Sequence, residues 1–275
     1  MGTVATERLG SVGAAVEGVD RERLLTDEAF PAWCHAALEA NGVLVFRDLH
    51  LDDATQVGFS KRLGRVEVFG DGEHPEIFRV TLDPEKNPTA DYLRGTFDWH
   101  IDGMTEDIPI KATLLSAHAV AESGGETEFA STYGAYDDLS DDEQERCLAT
   151  RVVHSLEAAQ RLVHPDPSPE ELAVWRRRPS KEHPLVWRHQ DGRRSLVLGA
   201  TTSHVVGMDP DEGRALLDDL VEHSTTPERV YRHHWQVGDL VIWDNRGVLH
   251  RACPYDPTSP RDMHRTTLSG DEPVQ

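Results

Sequence analysis

Cysteine is scarce in this chain, and several other features are missing with it. Only three cysteines occur among 275 residues, at Cys34, Cys147 and Cys253, too few and too scattered for a disulfide framework or a cysteine-rich zinc site. We expect each to behave as a small buried hydrophobic residue. No apolar run is long enough to span a bilayer, and the first residues lack the basic and apolar regions of a secretory signal. These absences predict a reducing, cytoplasmic setting.

Positive charge is also in short supply. Lysine and arginine number 28 against 49 aspartates and glutamates, which gives a formal net charge of −21. Phosphate backbones are bound through basic surfaces, so this balance argues against a nucleic-acid partner and against docking on anionic membranes. No glycine-rich phosphate loop of the G-x-G-x-x-G or G-x-x-x-x-G-K-[ST] type occurs. An anionic substrate would therefore need positive charge that is concentrated in a pocket.

The residues that are present, 38% apolar and 28% charged, suit one folded domain over residues 1–275 without repeats or linkers. Helices are predicted from apolar periodicity and capping residues over 26–40 and 53–63 and after Ser140, Ser168 and Asp209. Strands are predicted over 42–46 and 240–243, and in a hairpin that pairs 183–189 with 194–199. Strands dominate the second half. We therefore expect a mostly β fold, a sandwich or jelly roll with helical decoration, rather than a doubly wound sheet.

A candidate metal-binding pattern appears as His100-Ile-Asp102 with a distant His250. Two imidazoles and one carboxylate on one face of a metal form the facial triad of non-haem Fe(II) oxygenases. Residues i and i+2 of a strand point to the same face, so the third ligand must come from a facing strand. The spacing alone is weakly selective, because it recurs in turn-rich segments at His164 and His189. Residue chemistry leaves open that the histidines of this pattern are surface or core residues.

Ordered motifs around these residues resemble the taurine dioxygenase and dichlorophenoxyacetate dioxygenase family of Fe(II)/2-oxoglutarate enzymes. They are Trp99-His-Ile-Asp102, Ser123-Gly-Gly-Glu-Thr-Glu-Phe129, Tyr231-Arg-His-His-Trp235, Val237-Gly-Asp-Leu-Val-Ile-Trp-Asp-Asn-Arg246, Leu249-His-Arg251 and Met263-His-Arg-Thr-Thr267. The resemblance is weak over 71–98. It implies a double-stranded β-helix (jelly roll, cupin-like) core with flanking and inserted helices. It also implies that His100, Asp102 and His250 are the iron ligands.

The same resemblance assigns residues to the cosubstrate. Thr127 falls on a hydroxyl that hydrogen-bonds the far carboxylate of 2-oxoglutarate, and Arg261 falls on the arginine that pairs with it. A planar guanidinium can donate two parallel hydrogen bonds to a buried carboxylate. Arg265 falls on a second arginine, near the metal-bound end of the cosubstrate and the substrate anion. By strand alternation Arg261 and Arg265 share one face, and His264 points to the other.

The implied activity is hydroxylation of a small, anionic organic substrate with Fe(II), 2-oxoglutarate and O2, releasing succinate and CO2. A carboxylate at Asp102 favours hydroxylation over halogenation. The segments 125–129 and 199–205 look more like the aryloxyalkanoate branch than the taurine branch, which favours a carboxylate-bearing substrate. Arg265 is the expected partner of the substrate anion. The weakly matching segment 71–98 supplies further candidates for substrate selectivity, namely His74, Tyr92, Arg94 and Phe97.

Other functions remain open at this stage. Within the same family, a sulfonate or alkyl-sulfate dioxygenase is the alternative. Outside it, the triad suits a structural or sensory metal protein, or a zinc hydrolase with an open coordination position. Neither of these functions explains Thr127 and Arg261, the pair predicted to bind the far carboxylate of 2-oxoglutarate. The expected partner is a small molecule, and the chain is expected to form a homo-oligomer, a dimer or a tetramer.

Overall fold

A computed structural model describes residues 3–275, and strands outnumber helices in this part of the chain. In chain order the strands are β1 (Ala5–Arg8), β2 (Ala14–Glu17), β3 (Val43–Phe46), β4 (Phe78–Val80), β5 (Ala112–Ala119), β6 (Thr127–Ser131), β7 (Arg151–His154), β8 (Lys181–Pro184), β9 (Val186–Arg188), β10 (Arg194–Leu196), β11 (Thr202–Val205), β12 (Val230–His233), β13 (Leu240–Asp244), β14 (Val248–Ala252) and β15 (Asp262–Leu268). The helices are α1 (Arg21–Thr26), α2 (Phe30–Asn41), α3 (Asp53–Leu63), α4 (Thr132–Asp137), α5 (Asp141–Leu148), α6 (Leu156–Val163), α7 (Pro169–Trp175) and α8 (Pro210–Ser224). The predicted mostly β fold with added helices is confirmed at this level.

Two sheets position the motif residues. The larger sheet has seven strands in the order β1-β2-β3-β13-β5-β15-β4, and the smaller sheet has three in the order β12-β6-β14. In the smaller sheet β6 pairs antiparallel with both neighbours, which places Thr127 opposite His233 on one side and Ala252 on the other. In the larger sheet β15 lies between β4 and β5. The motif residues are thus distributed over both sheets.

Strand alternation decides what covers each face of the larger sheet. One set of side chains meets the smaller sheet in a shared apolar cluster that includes Val45, Leu115, Val241, Phe129 and Val248. The alternate residues Leu44, Leu114 and Ile242 pack in a separate cluster with side chains of α2 and α3. The larger sheet is therefore covered by the smaller sheet on one face and by helices on the other.

Several helix predictions agree with the structure. The helix α3 covers Asp53–Leu63 as predicted, and Asp52 caps its first turn by accepting from the backbone N–H of Thr55. Both predicted capping boxes are present, at Ser140 and Ser168. In each, the serine hydroxyl accepts from the backbone N–H of the glutamate three residues later, and the carboxylate of that glutamate accepts from the backbone N–H of the serine. These local signals act within one turn, so the sequence is sufficient to locate them.

The helix predicted over 26–40 is wrong at its start. The chain forms two helices instead, α1 ending at Thr26 and α2 beginning at Phe30. Asp27 ends the first helix, since its side chain accepts from the backbone N–H of Ala29 and bonds the side chain of Arg23. Pro31 follows in the first turn of α2, where its missing N–H removes no helical hydrogen bond.

The hairpin predicted around Asp191-Gly192 is shorter than expected. Its strands are β9 and β10, which pair antiparallel, whereas the residues before Pro184 form β8 and pair with β7. The chain divides at Leu185, whose backbone N–H bonds the carbonyl of Thr150. Ahead of His100 the chain forms a 3₁₀ segment, Ala90–Phe97.

Two of the three cysteine side chains are buried, as the sequence predicts. Cys34 and Cys147 lie buried in apolar clusters, and burial raises the pKa of these thiols to about 12 and about 11. Both are therefore packed as small hydrophobic residues, as predicted. Cys253 is only half-buried, and burial raises its pKa as well. In residues 3–275 no helix combines the length and apolarity that a membrane crossing requires.

Candidate active site

His100, Asp102 and His250 come together between the two sheets. The backbones of His100 and His250 exchange hydrogen bonds of 3.0 and 2.9 Å, although His100 lies outside any regular strand. One oxygen of Asp102 lies 3.8 Å from Nε2 of His100, and the other lies 3.7 Å from Nε2 of His250. These separations are too long for hydrogen bonds and suit ligands that each lie about 2.1 Å from a shared ion. The geometry fits a facial metal triad.

Gly199 is needed for this arrangement. Its φ is +112°, and a Cβ there would lie 2.6 Å from the carbonyl oxygen of Trp99 and 2.8 Å from Cα of His100. Any side chain would collide with backbone, so only glycine lets the chain after β10 pass behind His100. The ring of Trp99 in turn lies under the guanidinium of Arg251, at 4.7 Å.

The protonation states also suit metal binding. Nδ1 of His100 donates to the carbonyl of Asp98 at 2.8 Å, which leaves Nε2 with the lone pair and directs it at the triad. Burial, with the neighbouring His100, lowers the pKa of His250 to about 3, so this ring is neutral. Burial opposes ionisation of Asp102, but His250, Arg265 and His100 outweigh it and hold its pKa below the ordinary value.

A relay of hydrogen bonds supports Asp102. The hydroxyl of Thr113 lies 3.4 Å from Asp102 Oδ2 and accepts from the side-chain amide of Asn245 at 2.8 Å. The amide oxygen of Asn245 accepts from the indole of Trp243 at 3.0 Å. Thr113 is not among the site residues predicted from the sequence. No sequence signal marks Thr113, because it is one residue of an apolar strand and its role depends on strand register.

Thr127 begins β6 of the smaller sheet, and Arg261, which directly precedes β15, bonds Gly125, two residues before Thr127. The hydroxyl of Thr127 accepts from the indole of Trp235 at 2.9 Å, which leaves its own proton for an acceptor. Arg261 is only 2% exposed, and Nε bonds the carbonyl of Gly125 at 3.3 Å. The ring of Tyr255 lies 4.8 Å from the guanidinium. Gly125 has φ +74°, and a Cβ there would lie 3.0 Å from the Arg261 side chain.

Arg261 has no carboxylate partner among the residues that the structure describes. Among residues 3–275 no carboxylate oxygen lies within 4.0 Å of its guanidinium, and burial lowers its pKa. A buried charge without a counterion is unfavourable unless a ligand supplies one. The arrangement with Thr127 therefore fits a site for an anionic group.

Arg265 faces the triad from β15. Its Nη1 lies 3.8 Å from Asp102 Oδ2, and its buried Nε has no hydrogen-bond partner within the described chain. The rings of Phe78 and Phe69 lie 4.7 and 5.6 Å from its guanidinium, and they contact each other edge-to-face. Sequence reasoning did not single out these phenylalanines. An anion beside an apolar ring would find complementary groups here.

The other residues predicted for substrate selectivity are dispersed. His74 lies near Asp52 and Glu76, whose pKa values are lowered chiefly by hydrogen bonds from Thr55 and Lys61 and to a smaller extent by His74. Tyr92 is 38% exposed, and the exposed side chain of Arg94 pairs with Asp91 at 3.2 Å. Phe97 is the one that contacts the site, since its ring packs edge-to-face on Tyr255 beneath Arg261. A cleft of about 700 Å³ beside Trp99 is lined by none of His74, Tyr92 and Phe97.

Comparison with known proteins identifies the class. A family model described as "Taurine catabolism dioxygenase TauD, TfdA family" matches residues 5–267. The chain therefore belongs to the TauD/TfdA dioxygenase family, as the motifs predicted. The predicted enzyme class, a 2-oxoglutarate-dependent dioxygenase, is confirmed by the relatives described next.

Individual relatives share both sequence and structure with the chain. It is 36% identical over 292 residues to the alpha-ketoglutarate-dependent 2,4-dichlorophenoxyacetate dioxygenase of Cupriavidus pinatubonensis, covering 100% of both proteins. It is 34% identical over 270 residues to the (S)-phenoxypropionate/alpha-ketoglutarate-dioxygenase of Sphingobium herbicidovorans, covering 94% of this chain and 92% of that one. A crystal structure of AAD-2 in complex with Mn(II) and N-oxalylglycine superposes with a TM-score of 0.85 at 34% identity, over 99% of this chain and 100% of that one.

Proposed function

We propose that the protein is an Fe(II)- and 2-oxoglutarate-dependent dioxygenase that hydroxylates a small, carboxylate-bearing, aryloxyalkanoate-like substrate. The observation that carries this proposal is Arg261, a buried cation that has no carboxylate counterion among residues 3–275 and bonds Gly125, two residues before Thr127. A closed structural metal site or a zinc hydrolase leaves that cation unexplained. A cosubstrate with a carboxylate remote from its metal-binding end accounts for it.

His100, Asp102 and His250 would hold the iron, and two imidazole nitrogens with one ionised carboxylate fit a divalent ion. When bound, Fe(II) would activate O2 and so supply the oxidising chemistry, coupled to conversion of 2-oxoglutarate to succinate and CO2. The protein's own part is positional. Thr113 orients Asp102, and the carbonyl of Asp98 fixes the tautomer of His100.

Arg261 and Thr127 would bind the far carboxylate of 2-oxoglutarate through charge-assisted hydrogen bonds. The architecture that holds them, two facing sheets with helices outside, fits a double-stranded β-helix (jelly roll) within a single domain over 1–275. We propose that the chain assembles as a dimer or tetramer, which light scattering of the purified protein would measure.

Arg265 would bind the substrate's anionic group, with Phe69 and Phe78 beside it to contact an aromatic ring. Its unpartnered Nε and its distance of 3.8 Å from Asp102 support this role. The aryloxyalkanoate names of the relatives described above support the ring and the carboxylate.

A sulfate or sulfonate substrate is the second candidate. The chain is 32% identical over 279 residues to the alpha-ketoglutarate-dependent sulfate ester dioxygenase of Pseudomonas putida, covering 96% of this chain and 89% of that one. A guanidinium pairs with carboxylate and sulfate alike, so Arg265 by itself does not separate the two classes.

A panel assay tests the proposal. Purified protein with Fe(II), 2-oxoglutarate and air is offered phenoxyacetate, phenoxypropionate, phenylacetate, an alkyl sulfate and an alkyl sulfonate, and succinate is measured. We expect the aryloxyalkanoates to stimulate succinate release most, with hydroxylated product in equal amount. Controls omit iron, 2-oxoglutarate or O2. Substrate turnover that persists without O2 and 2-oxoglutarate would refute the oxygenase assignment, and preference for the alkyl sulfate would establish the second candidate.

A further inference from the structure

A second cluster of metal-ligand side chains lies on the opposite face of β15. One nitrogen from each of His118 and His264 and one carboxylate oxygen of Asp53 lie within 4.8 Å of one another. His118 is in β5, His264 is in β15, and Asp53 is the first residue of α3. The next residue of β15, Arg265, faces Asp102 instead, so the sheet separates this cluster from the candidate active site.

The hydrogen bonds around His118 leave one of its nitrogens for a ligand. The side-chain amide of Gln56 donates to the carbonyl of His264 at 2.9 Å, and its oxygen accepts from the hydroxyl of Ser116 at 2.6 Å. Because the hydroxyl of Ser116 donates its proton to Gln56, it can only accept from Nε2 of His118, which lies 3.2 Å away. Nδ1 of His118 then carries the lone pair. A neutral imidazole held through its other nitrogen is the usual form of a histidine metal ligand.

His264 presents a buried nitrogen that the protein does not satisfy. Its side chain is 10% exposed, and in the described part of the chain Nε2 has no hydrogen-bond partner. Nδ1 lies 2.5 Å from Oδ1 of Asp53. Its ring stacks on that of His118 with centroids 3.7 Å apart. A purely structural histidine at this depth would be expected to have both nitrogens bonded.

The surroundings of the cluster suit a cation that enters from solvent. The side chain of Asp53 is 32% exposed, so an ion can reach it. Oδ1 of Asp262 lies 3.7 Å from Nε2 of His264 and offers a further oxygen, although Arg79 pairs with this carboxylate. Asp53 has no arginine or lysine within ion-pair distance among residues 3–275, so its charge is available to a metal.

We propose that Asp53, His118 and His264 form a second divalent metal site, selective for borderline transition ions such as zinc. Imidazole donors with one carboxylate suit zinc, nickel and copper, whereas magnesium and calcium prefer all-oxygen sites. The ion would be held by one nitrogen from each histidine and one carboxylate oxygen of Asp53. It would tie the first turn of α3 to β5 and β15 and stabilise the strand that carries Arg265.

Zinc stoichiometry tests the site without reference to turnover. The apoprotein is dialysed against chelator-buffered Zn²⁺ and its bound metal is measured by mass spectrometry. The wild-type chain should bind two equivalents, one at each cluster. His118→Gln and Asp53→Asn should each bind one, and His250→Ala, which disrupts only the triad, should also bind one. Zinc should raise the melting temperature of His250→Ala but not that of His250→Ala/His118→Gln.

The variants distinguish this site from the candidate active site. His234→Gln is the matched control, because the side chain of His234 is 73% exposed, pairs with Glu126 and belongs to neither cluster; this variant should bind two equivalents. A second equivalent that survives in both His118→Gln and Asp53→Asn lies elsewhere and overturns the proposal. So does a wild-type chain that binds one equivalent while His250→Ala binds none. If the triad fails to bind zinc, His250→Ala still retains one equivalent and only the proposed function is affected.

Discussion

Replacing Arg261 with methionine separates cosubstrate binding from folding. Arg261 is 2% exposed, and burial lowers its pKa more than the neighbouring Tyr255 raises it; among residues 3–275 no carboxylate pairs with it. Methionine has a similar length and no charge, so it removes an uncompensated buried cation. The free energy of unfolding of the apoprotein should therefore stay constant or increase, which is unusual for a substitution at a buried site.

The same change should weaken binding of 2-oxoglutarate severely. Loss of a charge-assisted pair of hydrogen bonds costs about 3 kcal/mol, which corresponds to a rise of roughly 100-fold in KM for the cosubstrate. Binding of Fe(II) should change little, because Arg261 contacts Tyr255 and Gly125 rather than the triad. The assay titrates 2-oxoglutarate against succinate release, with iron binding and urea unfolding measured on the same preparation.

Arg232→Met is the control for the loss of one arginine. Arg232 is half-exposed and pairs with Glu128, which keeps a second partner in Arg251 at 2.6 Å. This variant should keep the wild-type KM for 2-oxoglutarate. Loss of stability and of iron binding in Arg261→Met, with an unchanged KM, would refute the reasoning and make the arginine a structural residue.

Four further perturbations address the triad, its support and the fold. Asp102→Ala should abolish substrate-dependent succinate release while circular dichroism shows a folded chain; full activity would exclude the triad from catalysis. Thr113→Val should weaken iron binding about 10-fold or more, as equilibrium dialysis would measure, because Asp102 loses a hydrogen-bond donor. Ser140→Ala should lower the free energy of unfolding by about 1 kcal/mol in urea with activity unchanged, since it removes a helix cap. Burial lowers the pKa of His154 from 6.5 to about 3, so the unfolded chain takes up a proton that the folded chain rejects. Stability should therefore fall as the pH drops below about 6.5, by about 2 kcal/mol at pH 5, and His154→Asn should reduce this loss; identical pH profiles would contradict it.

Local signals made parts of the fold predictable. The capping boxes at Ser140 and Ser168 and the limits of α3 depend on contacts within a turn or two, and the structure contains them as predicted. The errors have a different origin. The break between α1 and α2 depends on hydrogen bonds of one aspartate, and the division of the chain at Leu185 depends on a bond to the distant Thr150. Local periodicity carries no information about such partners.

The sequence by itself determined which functional groups are available: the His-x-Asp motif at His100, the distant His250, and Arg261 and Arg265 four residues apart. It also determined the excess of negative charge. Tertiary structure decided which of these groups meet. His100 and His250 are 150 positions apart, and only the backbone bridge between them brings their rings to 4.2 Å. The support of Asp102 by Thr113 and Asn245, and the approach of Asp53 to His118 and His264, depend on strand register and on helix packing. Side chains from remote segments acquire a common function only when burial of the apolar faces fixes that register.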